Sequence, residues 1–417
     1  MVTRHSVQVC VDLDPSGPAA MGWLHRQASR GGDVFSFEYE RAWLQRTDAF
    51  SFDPDLALVK GPQYPATGRA TFGVFMDSSP DRWGRVLMQR RESMRARQAA
   101  RRPRVLTEWD FLLGVHDETR VGALRFRAAP GEPFIESDGH LAAPPIATLA
   151  EIQAASLRFE EHLEDEGDPA EYEWLSQLFA PGTSLGGARP KASVRDEAGV
   201  LCMAKFPSRK DLRDMGAWEL VAHRLAAQCG IDVPQARPLR LPGSPHTTFL
   251  VQRFDRTAGG GRLAFVSAMT LTQRIDGEPG GSYLELVDLL QSRGASTRAD
   301  CGQLFRRVVF SIAIHNTDDH LRNHGFVIGP QGLRLSPAYD INPTIGRREL
   351  SLAINEVDAT CEVGIAIDAC RDYGLTRQQA EIVVQEVRSG VAEWRTHATA
   401  LGIPRSEQEL MATAFES

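Results

Sequence analysis

The 417-residue chain reads as an α+β protein of two lobes, β-rich in its N-terminal part and helical in its C-terminal part. Two observations predict this. Up to Asp255, short runs of alternating apolar and polar residues are separated by Gly- and Pro-rich turns. Beyond Asp255, apolar residues recur at helical spacing over long stretches. The length supports the reading, since a single core rarely organises so many residues and two or three domains suit them better.

Strand character starts at Val7–Leu13, before a turn at Pro15-Ser16-Gly17-Pro18, and returns at Phe35–Tyr39 and Leu56–Val59. Ser79-Pro80-Asp81-Arg82 carries a helix start signal that leads into an arginine-rich run. Val121–Phe126 is again strand-like, and Ala128–Pro145 is a Pro/Gly-rich connector. Helical periodicity with many acids lies within 149–178. Strands are expected over Lys191–Arg195 and Val200–Phe206, a helix over Gly216–Gln228, and strands over Ala236–Leu241 and Thr247–Arg253. Helices follow over Tyr283–Gln291, Cys301–His315 and Arg377–Leu401, with a hairpin at Gly325–Leu335 between them.

Composition narrows the function classes. A net charge of −7 argues against nonspecific coating of nucleic acid. The local exception is 89–104, where seven arginines (90, 91, 95, 97, 101, 102, 104) form either a solvated helix face or a contact for phosphate or an acidic partner. The six cysteines form no C-x-x-C pair and no zinc spacing, and no apolar run approaches 18 residues. With no signal peptide in view, the expectation is a cytoplasmic protein with no membrane association, whose metal ligands are carboxylates.

The chemistry concentrates in Asn316-Thr317-Asp318-Asp319-His320-Leu321-Arg322-Asn323 and Tyr339-Asp340-Ile341-Asn342-Pro343. Phosphoryl transfer needs a carboxylate to orient and deprotonate a hydroxyl, and neutral or acidic oxygens to grip magnesium. The interval from Asp318 to Asn323 equals that of the protein-kinase catalytic loop. Asp318 is therefore the candidate general base, and Asn323 and Asp340 are the candidate Mg²⁺ ligands. Asp319 could compete as base or cap the turn. His320 could pin the loop or touch the γ-phosphate. Arg322 could neutralise transition-state charge or lie at the surface.

The other half of an ATP site lies upstream. Ser184, Gly186, Gly187 and Ala188 belong to a glycine-rich turn whose backbone amides can close on phosphates. Lys205 sits alone in an apolar strand, where an unpaired ammonium is costly to bury. It suits the α/β phosphates, with Glu219 on the following helix as its partner, and Lys191 is a second candidate. Gln252 and Phe254 fall where a hinge would bond adenine by its backbone and wall it with a ring. Phe254 could instead be core, and Arg253, Asp255 and Arg256 structural ion pairs. The fold expected is thus bilobal and protein-kinase-like, with a small α/β subdomain (1–130), a nucleotide-binding β-rich lobe (131–257) and a helical catalytic lobe (258–417).

These residues resemble the HipA family of bacterial serine/threonine protein kinases, toxins of toxin–antitoxin pairs. Ser184–Lys191 is similar to the family's Ser-x-x-Gly-Ala-x-x-Lys loop, and Gln252–Arg256 to its Glu-Arg-Phe-Asp-Arg hinge. Thr317–Asn323 matches Thr-Asp-x-His-x-x-Asn, Lys205 the ATP lysine and Tyr339-Asp340 the metal-binding Tyr-Asp. Phe75–Asp81 and Val121–Phe126 resemble N-terminal segments of the family, so the likeness runs over nearly the full length.

The resemblance implies ATP and Mg²⁺, a protein substrate, and growth arrest through phosphorylation of a translation factor, typically an aminoacyl-tRNA synthetase. It also implies autophosphorylation of Ser184, which would place negative charge where ATP phosphates sit. It implies a HipB-like antitoxin partner, with operator DNA bound only through that partner. Two departures stand out: Gln252 replaces the hinge acid, and Asp318-Asp319 replaces Asp-Gly. The alternatives are a kinase of small alcohols or lipid headgroups, and a nucleotide-binding co-repressor without turnover.

Overall fold

The computed structural model describes residues 4–13, 16–29, 32–137, 143–161, 178 and 189–416. They divide into two compact units. The first holds Met1–Arg209, Leu241–Gly243 and Asp255–Val266; the second holds Lys210–Arg240, Ser244–Phe254 and Ser267–Ser417.

The first unit is built on a four-stranded antiparallel sheet. Strands β1 (Arg4–Val11), β2 (Ala19–Ser29) and β3 (Gly32–Tyr39) form a meander, and β4 (Leu124–Arg127) joins the free edge of β1. Alternation along β3 buries Phe35, Phe37 and Tyr39, and Phe75 bridges Phe37 to Phe126 at ring separations of 5.9 and 6.0 Å. Leu56–Val59 is a turn-rich segment and not the strand its residue types suggest. Pro54, Gly61, Pro62 and Pro65 surround it and deny it a ladder, leaving a single bridge from Gln63 to Phe37.

Helix α1 (Arg82–Gln98) starts where the sequence places it, with the Asp81 carboxylate accepting the Gly84 N–H at 2.7 Å. Helix α2 (Glu108–Leu113) opens with a capping box, Asp110 accepting the Thr107 N–H at 2.9 Å. Between α2 and β4, the fully buried Arg120 donates to the carbonyls of Ser78, Leu112 and Val115 at 2.8–2.9 Å. Burial pushes its guanidinium down to about 10, and it stays charged at neutral pH. Helix α3 (Leu149–Glu161) and the antiparallel hairpin β5 (Lys191–Arg195)–β6 (Leu201–Lys205) follow.

The second unit opens with α4 (Met215–Gln228), capped by Asp214, and the antiparallel pair β7 (Ala236–Leu239)–β8 (Thr248–Gln252). Helices α5 (Tyr283–Arg293) and α6 (Thr297–Ala313) lead to the hairpin β9 (Gly325–Gly329)–β10 (Gly332–Leu335). The expected C-terminal helix is two helices, α7 (Arg377–Val391) and α8 (Trp394–Ala400). Val387, Val391, Trp394 and Ala398 are all buried, so apolar spacing continues through the break and does not mark it. Trp218 of α4 lies against Trp394 and Phe415 and donates its indole N–H to Glu407 at 2.7 Å, which fixes α4 in place. All six cysteines are free thiols. Among the described residues no helix is long and apolar enough to cross a membrane.

Candidate active site

Helix α6 delivers the candidate catalytic loop. It ends at Ala313, and His315 then takes a positive φ of 48°, turning the chain into Asn316–Asn323. The two aspartates of the doublet part company here. Asp318 is exposed, whereas Asp319 is buried at 4 % exposure.

Asp319 accepts the Tyr283 hydroxyl at 2.6 Å and the Ser311 hydroxyl at 3.1 Å, and lies 2.9 Å from His324 Nε2. Burial opposes its charge, but the His324 imidazole and the two hydroxyls outweigh that and hold the carboxyl below its usual range. Burial and the Asp319 charge push the Tyr283 phenol well above 10, so it remains a donor. His324 also meets the Tyr283 ring edge-on at 5.5 Å. The residue after the candidate base and the residue after Asn323 are thus clamped to each other and to α5 and α6. Sequence reading left Asp319 open between a turn cap and a second base; the geometry makes it an anchor.

Asn323 is buried and donates its amide N–H to the Asp318 carbonyl at 3.1 Å. The five-residue interval therefore closes as a bond across the loop. That bond uses the nitrogen of the amide and leaves its oxygen end as the ligand type a hard cation takes. Asp340 has a φ of +58°, uncommon for a residue with a side chain. Its carboxylate accepts a long bond from the Asn342 amide at 3.4 Å. Tyr339 ties the two segments together, since its hydroxyl donates to the Arg322 carbonyl at 2.7 Å.

Tyr339 also stacks on Phe254 at 5.3 Å between ring centroids, with 25° between planes. Phe254 is half-buried rather than core, and this stack is a link that sequence reading did not find. Gln252 ends β8, with its backbone N–H engaged by the Gln235 carbonyl at 2.8 Å. The other half of that hinge stretch is structural, as Asp255 accepts the Gly122 N–H at 2.8 Å and pairs with Arg256 at 2.7 Å.

His320 is half-buried, with its Nδ1 buried and lacking a hydrogen-bond partner among the described residues. Arg322 is exposed and pairs with the exposed Asp276 at 3.1 Å. Glu219 is buried on α4.

In the first unit, Lys191 and Lys205 are register partners across the β5–β6 hairpin, so they share a face. Lys191 is 2 % exposed at its side chain and bonds the Asp81 carboxylate at 2.6 Å, while Lys205 is half-buried. Asp81 therefore caps α1 with one oxygen and neutralises Lys191 with the other. Ser184, Gly186, Gly187 and Ala188 lie outside the described residues.

No group of three or more His, Cys, Asp or Glu side chains among the described residues could cage a metal. Asn323 and Asp340 offer an amide and a carboxylate oxygen, a donor set that suits a magnesium ion arriving with nucleotide phosphates.

A family model described as HipA-like C-terminal domain matches residues 183–394, just over half of the chain. Two proteins named "Putative kinase" are similar to parts of it. Y4mE of Sinorhizobium fredii (strain NBRC 101917 / NGR234) is 26 % identical over 209 residues, covering 46 % of this chain and 48 % of its own. The Haemophilus influenzae (strain ATCC 51907 / DSM 11121 / KW20 / Rd) protein is 24 % identical over 178 residues, covering 38 % and 52 %. The chain thus spans about half the length of the curated relatives it matches. A solved structure of the Shewanella oneidensis MR-1 toxin–antitoxin system HipA, HipB and operator DNA complex contains a chain of the same fold. It superposes with a TM-score of 0.68 over 98 % of this chain and 95 % of that one, at 16 % identity. That likeness establishes a mixed helix-and-sheet, HipA kinase-like fold, and with the family match it shows that this chain belongs to the HipA-like family.

Proposed function

We propose that the chain is an ATP- and Mg²⁺-dependent protein-serine/threonine kinase of the HipA toxin type. The observation that carries the reading is the loop from Asp318 to Asn323. The Asn323 side-chain amide bonds the backbone carbonyl of Asp318 and closes the loop, which leaves the Asp318 carboxylate exposed while the neighbouring acid is buried as an anchor. Asp318 orients a serine or threonine hydroxyl and accepts its proton. His320 and Arg322 face developing phosphate charge, Arg322 after leaving Asp276. Asn323 and Asp340 hold Mg²⁺, which supplies neutralisation of phosphate charge when bound. Lys205 and the glycine turn at Ser184, Gly186, Gly187 and Ala188 hold the nucleotide phosphates, with Glu219 as the lysine's partner. Gln252 and Phe254 border the base.

The domain division into 1–130, 131–257 and 258–417 belongs to the same reading. So do autophosphorylation of Ser184, control by a HipB-like antitoxin, operator DNA bound through that antitoxin, a cytoplasmic location and a translation-related substrate such as an aminoacyl-tRNA synthetase. Phosphoproteomics after brief induction, wild type against Asp318→Ala, tests the substrate. The expected result is a few new phosphoserine or phosphothreonine sites on translation proteins in wild type alone; identical phosphoproteomes would refute it.

The two lysines separate by experiment. Lys205→Met should lower phosphotransfer by at least tenfold with little change in melting temperature. Lys191→Met leaves Asp81 buried without its cation and should cost about 3 kcal/mol of stability or more. Thermal denaturation and a labelled-ATP assay on both variants check the split.

A further inference from the structure

The arginine-rich run between Gln89 and Arg104 is not used by the kinase reading. It holds seven arginines against one acid, Glu92, in a chain whose overall charge is −7. The charge of the helix C-terminus accounts for basic residues in the last turn of α1, such as Arg95 and Arg97. Beyond the helix end, Arg101 pairs with Glu92 and Arg104 with Glu92 and Asp110. In the fold this run borders a cleft of about 230 Å³ between α1, α2 and residues 135–136.

The cleft lining combines charged and apolar side chains. Arg91, Arg95 and Arg104 line it together with Met88, Leu106, Trp109 and Leu113. Of its three carboxylates, Glu92, Asp110 and Glu136, the first two are engaged by the protein itself. Glu92 accepts both terminal nitrogens of Arg101, at 2.6 and 3.1 Å, and the Arg104 backbone N–H at 3.0 Å. Asp110 accepts from Thr107 and from Arg104 Nη1 at 2.8 Å. These bonds orient Arg104 at the rim. Arg95 makes no ion pair among the described residues and is exposed to the cleft mouth.

Two backbone features shape the cavity. A Cβ at Gly114 would lie 2.3 Å from the Met88 methyl and 3.4 Å from Arg91 Nη2, so the floor depends on a bare backbone there. Glu136, on the lining, has a left-handed φ of 53°. Such strain persists where surrounding structure imposes it, commonly at binding sites.

We propose that this cleft binds a phosphate monoester with a small apolar or flat body. Guanidinium forks match phosphate oxygens in pairs. The volume falls below the roughly 300 Å³ at which pockets for drug-sized ligands begin, so the ligand is a phosphate ester smaller than a nucleotide. Its source is either a free metabolite or a phosphorylated side chain of another protein. None of the lining residues is a kinase group, so the site stands or falls independently of the proposed activity.

Calorimetric titration of the full chain with phenyl phosphate and with inorganic phosphate tests this. Phenyl phosphate is expected to bind at least tenfold more tightly than inorganic phosphate, and more weakly as salt is raised. Arg95→Ala should weaken it about tenfold, and Gly114→Leu should remove it. Unchanged binding in Arg95→Ala, whose exposed side chain makes misfolding no explanation, would overturn the proposal. So would equal affinity for the two probes, or an Arg95-dependent preference for an unphosphorylated acidic peptide or an oligonucleotide. A phosphoserine peptide binding more tightly than phenyl phosphate assigns the source to a protein; weaker binding assigns it to a free ester.

Discussion

Asp318→Asn should lower the turnover number for phosphoryl transfer by about 10²–10⁴-fold, the range a positioned general base contributes. The KM for ATP should move little, because the side chain is given no part in nucleotide binding. Stability should stay within about 0.5 kcal/mol, since the carboxylate is exposed and the bond from Asn323 goes to its backbone carbonyl, which the substitution keeps. Steady-state kinetics and thermal melting on one preparation separate loss of a proton acceptor from loss of fold. A variant that keeps its turnover would remove Asp318 from the chemistry.

Asp319→Asn should behave in the opposite way. Its carboxylate is buried against His324, Tyr283 and Ser311, and breaking the hydrogen bonds around a buried charged group costs about 3 kcal/mol or more. For a unit of this size that is a fall in melting temperature on the order of 10 °C. Tyr283→Phe removes one bond from the cluster and should cost less, about 1–3 kcal/mol.

The pH dependence follows from the direction of the Asp319 shift. Its folded carboxyl lies below the unfolded value near 4, so its contribution is fully present above about pH 4 and is lost as pH falls through the folded value. Wild-type melting temperature should therefore drop with acidification below about pH 4, and the drop should be shallower in Asp319→Asn. If Asp319→Asn instead abolishes activity at unchanged stability, the roles of the two aspartates are reversed.

The doublet shows where sequence was sufficient and where it was not. The Asp318-to-Asn323 interval is local and legible in the sequence, and in the fold a bond from the Asn323 amide to the Asp318 carbonyl spans it. The burial of Asp319 depends on Tyr283, 36 residues earlier on another helix, and no local pattern reports such a partner. Lys191 is similar, because its ion pair with Asp81 crosses more than a hundred positions. The stack of Phe254 on Tyr339 is equally remote. Elements followed the same division. The Asp81 cap and the strand Lys191–Arg195 carry their signals within a few residues. Leu56–Val59 has strand residues but no ladder partner, and the gap between α7 and α8 interrupts no periodicity.

The claim at the centre is transfer of the γ-phosphate of ATP to a protein hydroxyl. Incubating the purified chain with γ-labelled ATP and Mg²⁺, with a cell-lysate protein pool in one arm and small alcohols and lipid headgroups in another, measures it directly. The predicted result is label on serine or threonine of protein, recovered by phosphoamino-acid analysis and absent with Asp318→Asn. Label appearing only on small acceptors, or nucleotide bound with no label transferred to any acceptor, would contradict it.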